Sequence, residues 1–302
     1  MGILKKFISY VELRTKITSV FPFIMSLAFL FYKKQPIDAK LTLIFFGSML
    51  LFDLTTTAIN NYMDTKTNGQ ILPFRRSTAK TIILVLFVVS TMLGLYLAYL
   101  TDVVVLLIGG LCFLCGVLYS YGPIPLSRQP LGEVFSGLFY GLLIPFIVLY
   151  VNMPKGTFLT LAFDFQTIHL ALNIFPIFSV LLLAVAPACA TANIMLSNNL
   201  CDVEKDVQVK RYTLPYYLGN NALLVFAALY YISYCATVAM VILKILPLVS
   251  LLSLLTIIPI QKNIARFVKK QDKEETFVLS VQNFIIMVGA NSLFIFIGGV
   301  LS

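Results

Sequence analysis

Two runs of oxygen-bearing side chains stand out by their spacing. "TTTAINNYMDTKTNGQ" carries Asn60, Asp64 and Asn68, and "ANIMLSNNLCDVEKDVQVKRYTLPYYLG" carries Asn198, Asp202 and Asp206. Both read Asn-x-x-x-Asp-x-x-x-(Asn/Asp). A four-residue step turns a helix by about 400°, so each triplet forms one stripe with about 40° of drift per step. Carboxylates and amide carbonyls in a stripe suit a hard divalent cation. Mg2+ takes one or two carboxylates, keeps waters, and completes its shell with substrate phosphate oxygens. Two facing stripes would hold two such ions and bridge a diphosphate, neutralising the charge that develops on a phosphate leaving group. Lys66, Arg75, Arg76, Lys210 and Arg211 lie beside the stripes, as partners for the same oxygens. One such run alone reads as a solvated helix cap. Two runs of one spacing, each after a long apolar segment, favour the cation reading.

The elements that must position these stripes are membrane spans. The chain has 302 residues, 59% hydrophobic and only 12% charged, with a mean hydropathy of +0.93. That apolar load exceeds what a soluble fold of this length buries, which excludes a soluble enzyme, a secreted domain and a disordered chain. Nine stretches approach the roughly 20 apolar residues a spanning helix needs: residues 17–32, 41–60, 81–100, 103–121, 133–151, 170–196, 222–243, 245–260 and 278–301. The first and eighth are short, and the sixth extends into water at its end. The expected fold is all-α, a polytopic helix bundle of about nine spans around a central cavity open to the cytoplasmic side, with residues 1–302 as a single transmembrane domain.

The net charge of +9 orients the bundle. With a cytoplasmic amino terminus, seventeen Lys and Arg fall inside, and only Lys33, Lys34, Lys40, Lys155 and Lys244 fall outside. That split follows the positive-inside rule and assigns the basic excess to the bilayer rather than to nucleic acid. It puts both stripes in the cytoplasm. The basic flank of the first span lacks a small-residue cleavage site, so no cleavable signal peptide is expected. Cys112, Cys115, Cys189, Cys201 and Cys235 sit in or beside apolar stretches, so a structural role is expected for the Cys112–Cys115 pair and no disulfide framework.

The motifs together resemble the UbiA superfamily of intramembrane aromatic prenyltransferases, above all its 1,4-dihydroxy-2-naphthoate branch. "ELRTKITSVFPF" is similar to the family's Arg-containing entry to the first helix. "NNYMDTKTNG" resembles its first Asp-rich motif, "LYSYGPIPLSRQPLGEVFSGLFYGLLIP" the Tyr-x-x-Gly-Pro-x-Pro…Leu-Gly-Glu segment of the naphthoate branch, and "NNLCDVEKDVQVKRYTLPYYLG" the second motif. Two positions depart. Asn68 stands where many members have Asp, and Tyr212 is inserted between Arg211 and Thr213.

The resemblance implies a Mg2+-dependent enzyme in the cell membrane. It would transfer a polyprenyl group from polyprenyl diphosphate to an aromatic acid acceptor, with decarboxylation to demethylmenaquinone. Asp64, Asp202 and Asp206, helped by Asn60, Asn68 and Asn198, would hold metal. Lys66, Arg75, Lys210 and Arg211 would bind the diphosphate. Arg14 would pair with the diphosphate or the acceptor carboxylate. Tyr121 would stand beside the allylic cation, and Glu133 would act as base or hydrogen-bond partner to the acceptor, or simply as a helix amino-terminal acid. Acceptors of other branches (4-hydroxybenzoate, haem or a glyceryl phosphate) are the nearest alternatives. A secondary transporter is a more distant one, because such proteins place broken or charged helices at midplane. The 4-hydroxybenzoate branch carries Tyr-Pro-x-x-Lys-Arg where this chain has "YSYGPIPLS".

Three further residues complete the reading. Asp53, two turns below Asn60, is expected to line the pocket or bind a neighbouring helix, with pocket-lining favoured. Lys16 reads as a topology anchor, and His169 as an outside residue remote from catalysis. The segment "QKNIARFVKKQDKEET" reads as a loop facing anionic lipid.

Overall fold

The computed structural model describes residues 2–65, 71–121, 126–164 and 166–302. Within them the chain is helical apart from one hairpin. In order it runs α1 (Ile3–Tyr10), a 3-10 turn (Leu13–Lys16), α2 (Ile17–Tyr32), α3 (Ala39–Asp64), α4 (Arg76–Leu100), α5 (Val103–Ser120), α6 (Gly132–Ser136), a π-helical segment (Gly137–Leu143) and α7 (Ile144–Asn152). Strands β1 (Leu159–Phe163) and β2 (Ile168–Leu172) follow, then α8 (Ile174–Gln208), α9 (Leu214–Leu218), α10 (Asn221–Ile242), a 3-10 run (Leu248–Thr256), α11 (Ile257–Lys269) and α12 (Phe277–Leu301). Eight helical stretches among the described residues are long and apolar enough to cross a membrane, and α5 is a shorter apolar helix.

Two expected spans differ in detail. The sixth does not begin at residue 170, because Ile168–Leu172 pairs antiparallel with Leu159–Phe163 in a hairpin and α8 starts at Ile174. Asp164 closes that hairpin by accepting the amides of Gln166 and Thr167 at 2.8 and 2.7 Å, and these bonds hold its carboxyl below the ordinary carboxylate range. An apolar run too short to be told from helix by composition is here decided by its turn. The eighth span starts with the 3-10 run Leu248–Thr256 after Pro247 and continues through α11 to Lys269.

The chain forms two compact units, one of Met1–Val20 with Ala39–Ser127, the other of Phe21–Asp38 with Arg128–Ser302. In the first, α3 packs along α4, and both pack on α5. Phe52 of α3 stacks on Phe113 of α5 with ring centroids 3.9 Å apart. Gly116 makes room for this stack, since a Cβ there would stand 2.6 Å from Phe52. Tyr10, at the end of α1, is buried with Val11, Leu54, Ala58 and Ala79. Its hydroxyl donates to the Ala58 carbonyl at 3.0 Å, and burial holds the phenol above its ordinary range.

Asp53 and Lys16 correct the sequence reading. Asp53 is buried and bound to a neighbouring element, the second of its two expected roles. Lys16 Nζ donates to its carboxylate at 2.8 Å, to its backbone carbonyl at 3.1 Å and to Thr57 Oγ1 at 2.5 Å, while Ser19 Oγ donates to Asp53 Oδ2 at 2.7 Å. Both side chains of the ion pair are 5% exposed. Lys16 is therefore the counter-charge of a buried carboxylate, a role that its reading as a topology anchor did not include. An ionised group inside a span is tolerated when such a partner satisfies it.

In the second unit α8 is the central element. It packs against α6, the π segment, α10 and α12. Gly141 of the π segment lies so close that a Cβ would come within 2.1 Å of Ala188 Cα, and one on Gly137 within 3.0 Å of the Ala188 carbonyl oxygen. Small residues on facing helices allow this approach where no hydrophobic drive separates protein from lipid. The seam fixes α6, one turn before it, against α8.

The Lys16–Asp53 pair generates a prediction about stability. Lys16→Met or Asp53→Ala alone leaves a buried charge uncompensated and should cost about 3–5 kcal/mol. Lys16→Met combined with Asp53→Leu should recover most of that loss. Unfolding of the purified variants in detergent measures the coupling between the two positions.

Candidate functional site

The two stripes differ in surroundings, and each belongs to its own unit. In the first unit, Asn60 and Asp64 occupy the last turns of α3, where Asn60 Nδ2 donates to Asp64 Oδ2 at 3.1 Å. The next residue, Thr65, receives Arg76 on its carbonyl at 3.2 Å, and the Arg76 guanidinium lies 5.2 Å from the Tyr62 ring centroid. Asn68 and Lys66, with Pro123 and Pro125 of the Gly-Pro segment, lie outside the described residues. Arg75 is the exposed N-cap of α4, Arg14 is exposed on its 3-10 turn, and Tyr121 is the exposed C-cap of α5.

In the second unit, Asn198, Asp202 and Asp206 lie on the last turns of the 35-residue α8. Asp202 Oδ2 accepts from Lys273 Nζ at 2.7 Å, and its Oδ1 is 3.8 Å from Lys205 Nζ. The same Lys273 ammonium donates to Asn198 Oδ1. Asp206 is buried and stands 3.7 Å from Arg211 Nε.

The backbone beyond Asp206 explains why Arg211 meets it. Lys210 N–H bonds the Val207 carbonyl at 3.0 Å, and Arg211 N–H bonds the Asp206 carbonyl at 2.8 Å. These two bonds form a Schellman motif with Lys210 at the left-handed position, φ +57°. The motif folds the chain back so that the residue after Lys210 returns over Asp206. Lys210 itself is exposed, so of the two basic residues it is Arg211 that joins the stripe.

Glu133 also belongs to this neighbourhood. It is buried at the start of α6, and Asn199 Nδ2 donates to its Oε1 at 2.8 Å. Its Oε2 and Asn199 Oδ1 are buried without a hydrogen-bond partner among the described residues. The helix-end reading of Glu133 is therefore incomplete, since the carboxyl is tied to α8 beside the stripe. Sequence reasoning missed Asn199 and Lys273. Asn199 had a local signal, the doubled Asn beside Asn198. Lys273 had none, since 71 residues separate it from Asp202.

The donor set discriminates among metals. Among the described residues no three His, Cys, Asp or Glu side chains are grouped so that they alone could hold a metal ion. Two carboxylates and an amide, Asp202, Asp206 and Asn198, do not make a protein cage for Zn2+ or Ca2+. They match an ion that keeps water and takes its remaining oxygens from a substrate. The Lys273 ammonium held jointly by Asn198 Oδ1 and Asp202 Oδ2 shows that these two oxygens already serve a cation.

The profile of the UbiA prenyltransferase family matches residues 19–288. The chain belongs to that family. It is a multi-pass helical membrane protein. Among curated UbiA relatives, 1,4-dihydroxy-2-naphthoate octaprenyltransferase of Bacillus subtilis is 27% identical over 218 residues, which are 68% of this chain and 63% of the relative. The match thus spans less than two thirds of that relative's length. A UbiA homolog from Aeropyrum pernix superposes with a TM-score of 0.67 at 18% identity, covering 93% of this chain and 97% of that one. One from Archaeoglobus fulgidus, bound to DMAPP and Mg2+, gives 0.60 at 12% identity over 96% and 99%. These likenesses establish the UbiA fold.

The Schellman motif allows a local test. A lysine in the left-handed region costs about 1–2 kcal/mol relative to a relaxed backbone, and glycine returns part of this to the unfolded chain. Lys210→Gly should raise stability by about 0.5–1 kcal/mol. Lys34 and Lys244 end α2 and α10 with the same pattern at φ +54° and +58°; Lys244→Gly should gain the same amount, and Lys34→Gly less, because it also loses the bond from Lys34 Nζ to the Gly299 carbonyl at 2.7 Å. Thermal unfolding in detergent compares the three.

Proposed function

We propose that the protein transfers a polyprenyl group from polyprenyl diphosphate to 1,4-dihydroxy-2-naphthoate, with loss of the carboxylate, giving demethylmenaquinone. The observation that carries this reading is the four-residue step of oxygen ligands at the ends of α3 and α8 in a chain of the UbiA family. The naphthoate acceptor is supported by the segment around "YSYGPIPLS" and by the printed name of the Bacillus relative.

In this reading Asp202 and Asp206 with Asn198, and Asp64 with Asn60 and Asn68, are the residues that would hold Mg2+. When bound, the metal supplies charge neutralisation to the departing diphosphate. The chain's own groups do the rest. Arg211, fixed by the Schellman motif, binds diphosphate oxygens as a planar fork, and Lys66, Arg75 and Lys210 add charge. The Tyr121 ring stabilises the allylic cation, an interaction worth about 0.5–2 kcal/mol. Arg14 pairs with the acceptor carboxylate. Glu133, oriented by Asn199, accepts a hydroxyl proton of the acceptor at Oε2, the oxygen that Asn199 leaves without a partner. The whole chain acts as one prenyltransferase domain, with its amino terminus and both stripes cytoplasmic.

The decisive assay supplies purified protein with Mg2+, several prenyl diphosphates and a panel of aromatic acids. The naphthoate product should appear, and chelator should abolish it until Mg2+ or Mn2+ is restored. Asp64→Ala, Asp202→Ala and Asp206→Ala should each lower turnover by about a hundredfold or more, the scale for loss of one preorganised electrostatic contact. Retention of most activity in any two of them would remove the metal assignment.

Orientation is tested separately. In a cysteine-free background, single cysteines at Ser77 and Gln208 should resist an impermeant thiol reagent in intact cells, whereas one at Lys155 should react. Labelling of Ser77 and Gln208 from opposite faces would defeat the reading.

A further inference from the structure

Lys273 has no part in the proposed transfer, yet it makes the shortest charged contacts of the second stripe. It sits in the turn between α11 and α12, on a built support. Asp272 Oδ1 accepts the amides of Glu274 and Glu275, both at 2.9 Å. Thr276 Oγ1 donates to the Lys270 carbonyl at 2.9 Å and accepts the Asp272 amide at 2.9 Å. Lys270 pairs with Glu275 at 2.7 Å, and Gln271 Nε2 caps the Phe267 carbonyl at 2.7 Å. The turn therefore holds residue 273 in one place. From there the side chain passes the Phe277 ring, 5.2 Å from its centroid, and ends between Asn198 and Asp202.

We infer that Lys273 is a resident counter-cation of the second stripe, displaced when a divalent cation binds and then left as a ligand for the diphosphate. The inference rests on the metal–diphosphate reading of that stripe. Its ammonium is bonded to two of the oxygens that reading assigns to the metal, so metal and lysine cannot share them without rearrangement. The pair is open enough to exchange, with Lys273 40% and Asp202 21% exposed. A four-carbon stem with three rotatable donors can swing a short way without moving the turn that carries it. A cation arriving alone must displace the lysine. A cation arriving with a diphosphate gives the released ammonium a new anionic partner. Lys273 thus couples the loading of metal and substrate and disfavours metal bound without substrate.

The test uses the full chain in detergent and Mn2+ as probe, with free Mn2+ followed by electron paramagnetic resonance. Lys273→Gln should bind Mn2+ alone about two- to fivefold more tightly than wild type, the scale of a partly exposed ion pair. Inorganic pyrophosphate should raise the Mn2+ affinity of wild type more than that of Lys273→Gln. Asp272→Ala, which removes the acceptor that shapes the turn, should move affinity in the same direction, whereas Lys273→Arg should stay near wild type. Asp202→Asn serves as the reference. If it loses Mn2+ binding while Lys273→Gln matches wild type with and without pyrophosphate, the role of Lys273 is overturned and the metal reading stands. If Asp202→Asn binds Mn2+ as wild type does, both fall.

Discussion

A carboxylate carried on a long apolar helix needs a cation beside it, because hydrocarbon offers neither water nor counter-ions. Inside its span Asp53 meets that demand with Lys16, and on the polar extension of α8, among the described residues, Asp202 and Asp206 are paired as well, with Lys273 and Arg211. What separates them is access. The Asp53 pair is closed, held further by Thr57 on the same helix and by Ser19 on α2. The Asp202 pair is open and its lysine comes from a turn. The same electrostatic rule thus yields a fixed internal tie in one unit and an exchangeable contact in the other.

Local periodicity was readable where the relevant partner lay on the same helix. The four-residue steps of Asn60–Asp64 and of Asn198–Asp202–Asp206 do fall on helices, at the ends of apolar runs. Long-range pairing was not readable. Asp53 looked like a pocket residue because its partner stands 37 positions away, and that partner looked like a surface anchor because lysines before a first span usually are. The hairpin over residues 159–172 was hidden for another reason: its strands are as apolar as the helix that follows, and only the Asp164 turn tells them apart.

Glycine spacing carried information of a different kind. Gly137 and Gly141 look unremarkable in an apolar run, yet Gly141 faces Ala188 at a distance that excludes a side chain and Gly137 leaves only a tight fit there. This backbone-to-backbone seam holds Glu133 where Asn199 can reach it. The chemistry proposed for the carboxyl therefore depends on an interface with no chemistry of its own. Composition alone reaches the membrane, and the match to the UbiA family reaches the fold.

The length of α8 has a consequence for the kind of molecule it can serve. Its first part, residues 174–196, is apolar and spans roughly 34 Å at 1.5 Å per residue, close to the hydrocarbon thickness of a bilayer, about 30 Å. The last dozen residues continue for roughly 18 Å beyond it, and all three acidic-stripe positions lie on that extension. One continuous helix, with Pro187 inside its apolar part, therefore carries an apolar section followed by one bearing oxygen ligands. Under the proposed function, a substrate with a hydrocarbon tail and a charged head would meet both kinds of surface along this one helix, the change in character falling near Ser197.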